Sequence, residues 1–192
     1  MTSKQMSDDP KIKTKASGIK DFISFIVITA IVVLPIRIFV AQPFVVSGSS
    51  MSPTFENGEY LIVDQLSYNF SEPARGDVII FRYPINPEKF FIKRIIGLPG
   101  DTVKIDGNEV LIKNAANPEG ISLDQSFVVF SQETSLEITL ADDNYFVMGD
   151  NRAASLDSRS WGPLKRDLIV GRAFIRLWPF NKIDYLPGGF LY

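Results

Sequence analysis

From Phe22 to Ala41 the sequence runs for twenty residues in which only Ser24, Thr29, Pro35 and Arg37 interrupt an apolar composition. A helix of that length rises about 30 Å at 1.5 Å per residue, the thickness of the hydrocarbon core of a bilayer. The run predicts one transmembrane helix over 22–41. Residues 1–21 are polar, carry Lys4, Lys11, Lys13, Lys15 and Lys20, and show no apolar period, so they read as a disordered cytoplasmic tail. After Arg37 no positive side chain follows until Arg75. That bias puts the N-terminus in the cytoplasm and residues 42–192 on the outer side. A cleaved secretory leader is the competing reading, but cleavage after Ala41 would need a small residue where Phe39 stands.

Beyond Ala41 the apolar runs become short, β-branched and bounded by turn residues, which argues strands. They are Tyr60–Val63, Asp77–Tyr83, Phe90–Ile96, Thr102–Ile105, Glu109–Ile112, Phe127–Phe130, Leu136–Leu140, Asn144–Met148 and Leu168–Trp178. Asn57-Gly58, Pro99-Gly100 and Asp106-Gly107 read as turns, the last closing a hairpin. The expectation is an all-β extracytoplasmic domain over 42–192, with 102–142 a hairpin-rich insertion. At 45% hydrophobic residues such a domain can bury a core.

Two absences narrow the chemistry. There is no His and no Cys, which removes a Ser-His-Asp triad, a Cys nucleophile and every His- or Cys-based zinc site. A net charge of -2 leaves no basic stripe for phosphates, so no nucleic-acid partner is expected, and no metal or other cofactor either.

Three stretches remain that could carry function. Ser47-Gly48-Ser49-Ser50-Met51-Ser52-Pro53-Thr54 is either a flexible linker behind the anchor or a shaped pocket, since Met51, Pro53 and Phe55 interrupt the flexible composition. In Phe90-Phe91-Ile92-Lys93-Arg94-Ile95-Ile96, strand alternation puts Lys93 with Phe91 and Ile95 and sends Arg94 to the opposite face. Lys93 is either an edge-strand charge or a base whose pKa apolar neighbours lower. Gly149 to Gly162 is rich in oxygen ligands, yet Arg152 and Arg159 argue against calcium. They favour a self-neutralising loop with Asp150 and Asp157 that leaves Ser155 free to hydrogen-bond elsewhere.

With these stretches in order, the chain resembles the bacterial type I signal peptidases, membrane-anchored serine proteases that remove signal peptides from exported preproteins. Four segments carry the likeness: Ser49 to Thr54, Arg75 to Phe81, Lys93 to Asp101, and Gly149-Asp150-Asn151-Arg152 through Ser155, Asp157, Ser158 and Arg159. The resemblance implies the β-fold shared with the self-cleaving repressors of the SOS response, whose helix-turn-helix signal is missing here. It implies Ser50 as nucleophile and Lys93 as general base, and cleavage after Ala-x-Ala. Ser155 would orient the lysine, while Asp157, Arg159 and Arg94 brace the site. Phe44, Val46, Met51, Phe55, Phe91 and Ile92 would line subsites for small residues. The implied partners are signal peptides and the lipid bilayer, and the implied location is the cell membrane. Gly48 stands where some members carry a hydroxyl that completes the oxyanion hole, leaving a backbone N–H, that of Ser50, as the assured donor. Ala153 and Ala154 replace the Asp-Asn common in that loop.

Overall fold

Among the described residues, the short β-branched runs from residue 41 onward lie in a fold of twelve strands, and the apolar run before them lies in a helix. The computed structural model describes residues 15–35, 41–129 and 131–189. Two units separate, Met1–Ile38 and Phe39–Tyr192.

In the first unit, α1 spans Lys15–Pro35. It begins inside the stretch expected to be a tail, because a nucleated helix gains a hydrogen bond with each residue it adds. Phe22, Ile23, Phe25, Ile26, Ile28, Ile31 and Val32 are all exposed. Among the described residues no helix is long and apolar enough to cross a membrane. The apolar part from Phe22 to Pro35 rises only about 21 Å. Residues 36–40, the outer part of the expected span, lie outside the described residues.

The second unit contains β1 (Ala41–Val45), β2 (Tyr60–Asp64), β3 (Val78–Tyr83), β4 (Asn86–Gly97), β5 (Thr102–Gly107), β6 (Glu109–Lys113), β7 (Ile121–Ser122), β8 (Thr134–Thr139) and β9 (Asn144–Met148), then the short helix α2 (Ser158–Trp161) and β10 (Leu164–Lys165), β11 (Ile169–Trp178) and β12 (Asp184–Tyr185). The large sheet runs β1-β2-β11-β3-β4-β9-β10, with β12 on β11. A four-stranded sheet, β7-β6-β5-β8, draws on residues 102–139. All the pairs are antiparallel.

The two sheets share a core. Val103, Ile105, Val110 and Ile112 of the small sheet pack with Ile96 of β4 and Phe146 and Met148 of β9. On the large sheet Leu61, Val63, Val78 and Ile80 cluster with Val46, Met51 and Phe55. Residues 127–129, expected as a strand, are not one, and residue 130 lies outside the described residues. The Phe127 ring is turned onto the Arg94 guanidinium instead of entering a ladder. The hairpin bends at Gly107-Asn108, one residue later than expected, because Asp106 is already paired with Glu109.

Candidate active site

The segment after β1 is a closed loop with fixed geometry, so the linker reading fails. Val46 N–H donates to Glu59 O, Gly58 N–H to Val46 O and Phe55 N–H to Met51 O, each at 2.9 Å. Gly48 takes φ +95°, a left-handed value that favours glycine, and its N–H donates to Asn57 Oδ1 at 3.0 Å. Met51 and Phe55 are fully buried and root the loop in the core. Ser50 is thereby presented on a floor that packing holds still.

Lys93 sits opposite Ile79, on a strand flanked by β3 and β9 rather than at an edge. It is 3% exposed, and its Nζ donates to Ser50 Oγ at 2.7 Å and to Ile92 O at 2.8 Å. Burial pulls its pKa down to about 8, against the opposing pull of the Asp157 and Asp150 carboxylates. A substantial fraction of Lys93 is therefore neutral just above neutrality.

Arg94, the next residue, is also buried, on the other face of β4. Its Nε and Nη2 meet the two oxygens of Asp150 at 2.8 and 2.6 Å, and its Nη1 donates to Gly76 O at 3.0 Å and Gly188 O at 2.5 Å. Such a buried pair is costly to break from either side. Asp150 thus pairs with an arginine from another strand, a partner that its own loop did not reveal. β9 runs beside β4 and delivers Asp150 to Arg94, and Thr54 Oγ1 donates to the same carboxylate at 2.6 Å. Arg152 donates to Gly149 O at 3.0 Å and to Gln125 Oε1.

The Asp157–Arg159 pair does form, at 2.8 Å. Burial alone would raise the Asp157 carboxyl, but the Arg159 hydrogen bond and charge outweigh it and hold the group below the usual range. Asp157 also accepts from Gly149 N–H at 3.1 Å and from Arg159 N–H at the start of α2. Ser155 was expected to hold the lysine; the lysine's hydrogen bonds go to Ser50 and Ile92. Ser155 Oγ is buried and completes no hydrogen bond among the described residues, although it is close enough to Asp157 to favour the charged carboxylate. Gly149 leaves room for this crowding: a Cβ there would lie 2.3 Å from both Ser155 Oγ and Ser50 O.

Above Ser50 and Lys93 lies an apolar groove of about 600 Å³. Phe44, Val46, Phe91 and Ile92 line it, as expected. Met51 and Phe55 do not; they lie beneath it, because the turn after Ser50 sends their side chains into the core. Val45, Leu61, Ile80, Phe90, Ala154 and Leu156 add to the apolar wall. Leu61 is the cross-strand partner of Phe44 and Ile80 that of Ile92, so register was the signal that would have found them.

A serine hydroxyl meeting a buried amine in an apolar groove, in a chain without His or Cys, is the arrangement of a serine peptidase. The family model described as signal peptidase, peptidase S26, matches residues 19–178, and the chain belongs to that family. Signal peptidase I of Leptolyngbya laminosa is 37% identical, the match covering 88% of this chain and 85% of that protein. Signal peptidase I of Bacillus caldolyticus is 36% identical over 80% of this chain and 88% of its own length. The crystal structure of a signal peptidase I from Enterococcus faecalis V583 is 30% identical and covers 53% of this chain and 97% of its own, with a TM-score of 0.43.

Proposed function

We propose that this serine protease removes N-terminal signal peptides from exported preproteins, cutting after Ala-x-Ala by a Ser50–Lys93 dyad. The observation that carries the reading is the 2.7 Å approach of Lys93 Nζ to Ser50 Oγ, made by a lysine whose pKa burial brings to about 8. Neutral Lys93 takes the Ser50 hydroxyl proton, and the alkoxide attacks the scissile carbonyl. The Ser50 N–H receives the developing oxyanion. As the tetrahedral species collapses, Lys93 returns the proton to the departing amine. Water then enters, gives a proton to Lys93 and attacks the ester, and a final collapse restores the Ser50 hydroxyl.

Selectivity follows from the groove. In an extended peptide, side chains two residues apart share a face. The residues one and three places before the cut would both point at the wall of Val46, Leu61, Ile80 and Ile92, which asks for apolar side chains at both places. The spacing of Ala-x-Ala matches that demand.

The apolar run that continues in sequence to Ala41, with lysines ahead of it, supports a single anchor with residues 42–192 outside the cytoplasm. Carbonate extraction of membranes tests the anchor, since release of the protein into the wash would refute it. The activity is tested by incubating the detergent-solubilised protein with a preprotein carrying an Ala-x-Ala site. Cleavage after the last Ala is expected from wild type and from neither Ser50→Ala nor Lys93→Ala, both folded. Full activity in either variant overturns the dyad.

A further inference from the structure

Two of the arginines that frame the active site are held from the small sheet. On the Ser50–Lys93 reading, we propose that Gln125 and Phe127, in the loop between β7 and β8, are positioning residues for the reaction, acting through Arg94 and Arg152 on Gly149-Asp150.

Phe127 places its ring centroid 4.1 Å from the Arg94 guanidinium carbon, while the edge of that guanidinium is spent on Asp150. The ring shields a buried cation and attracts it through its quadrupole. Gln125 spans a second gap. Its Nε2 donates to Asn108 O at 2.8 Å, in the β5–β6 turn, and its Oε1 accepts from Arg152, whose Nε donates to Gly149 O. The loop is itself anchored, by Leu123 in the small-sheet core and by Val128 N–H donating to Gln125 O at 2.8 Å.

Both paths converge on the two residues that bear on the nucleophile. Gly149 packs against the Ser50 carbonyl, and Asn151 N–H donates to that carbonyl at 3.1 Å. Asp150 holds Thr54, four residues beyond Ser50, and Arg94, one residue beyond Lys93. The small sheet thus presses the Gly149-Asp150 turn onto Ser50 from the side away from substrate. Attack geometry is sensitive to displacements of about 1 Å. Neither Gln125 nor Phe127 lines the groove, so their loss acts on turnover and not on substrate binding.

The test is steady-state cleavage of an Ala-x-Ala peptide by the full-length detergent-solubilised protein, measured below the melting temperature of each variant. Phe127→Ala and Gln125→Ala are each expected to lower kcat about tenfold with KM within about twofold, and Phe127→Trp to restore most of the loss. Should Phe127→Ala fail to fold, Gln125→Ala, which removes one amide, carries the test. A kcat within about twofold of wild type in the folded alanine variants, or a raised KM with kcat unchanged, overturns the proposal. An inert wild type would instead overturn the dyad reading, and the positioning role with it.

Discussion

Replacing Lys93 with methionine should abolish turnover and, near neutrality, stabilise the protein. With its pKa held at about 8 against the ordinary 10.5, the ammonium form is disfavoured in the fold by about 3 kcal/mol, at about 1.36 kcal/mol per pH unit. Below pH 8 folded and unfolded chains both carry the proton, and the fold bears the whole penalty. Between pH 8 and 10.5 the unfolded chain binds a proton that the folded chain does not, so stability rises with pH across that window. Above 10.5 both forms are neutral and the penalty is gone. Methionine fills similar space without the charge but forfeits the hydrogen bonds to Ser50 and Ile92, about 1 kcal/mol each. The expected difference is thus about 1 kcal/mol in favour of Lys93→Met at pH 6.5, turning to about 2 kcal/mol against it above pH 10.5. Urea unfolding of the solubilised protein, followed through Trp161 and Trp178, reads both values. The other titrating groups cancel in the difference between the two proteins. A methionine variant less stable than wild type at pH 6.5, or a difference that does not move with pH, would refute a buried, reluctantly charged lysine.

Two further outcomes follow from the same geometry. On the proposed dyad, in which neutral Lys93 is the base, kcat/KM should climb tenfold per pH unit up to about 8 and level off above it; a pH profile flat between 6 and 9 contradicts this. Gly149→Ala puts a Cβ 2.3 Å from Ser50 O, a backbone atom that cannot swing aside. Displacement of the nucleophile should cost about a hundredfold in kcat, and turnover close to wild type would show that Gly149 is not a contact the site depends on.

Much of the large sheet was legible because alternation and turn residues act locally. Lys93 stood out since apolar residues flank it on its own strand, and those neighbours desolvate it. What escaped was whatever depends on chains meeting from afar. Asp150 is 56 residues from Arg94, and nothing in its own loop distinguishes it from a partner for Arg152 or Arg159. Met51 and Phe55 sit on the nucleophile loop, and sequence order does not say whether an apolar side chain there faces groove or core. Leu61 and Ile80 read as ordinary strand hydrophobes, and only pairing with Phe44 and Ile92 brings them to the wall. Phe127 belongs to an apolar run that looks like a strand, and its ring is spent on a cation.

The hydrogen bond from Arg94 to Gly188 gives the site an order of assembly. Ser50 and Lys93 are both synthesised long before residue 188, yet the guanidinium behind them lacks one of its acceptors until that residue arrives. A chain interrupted after β11 therefore holds Ser50 and Lys93 without that acceptor behind them. During biogenesis the protease would come to full strength only when its last strand and the turn beyond it have folded back. Truncation before Gly188, with assay of the folded product, would measure how much support this one contact supplies.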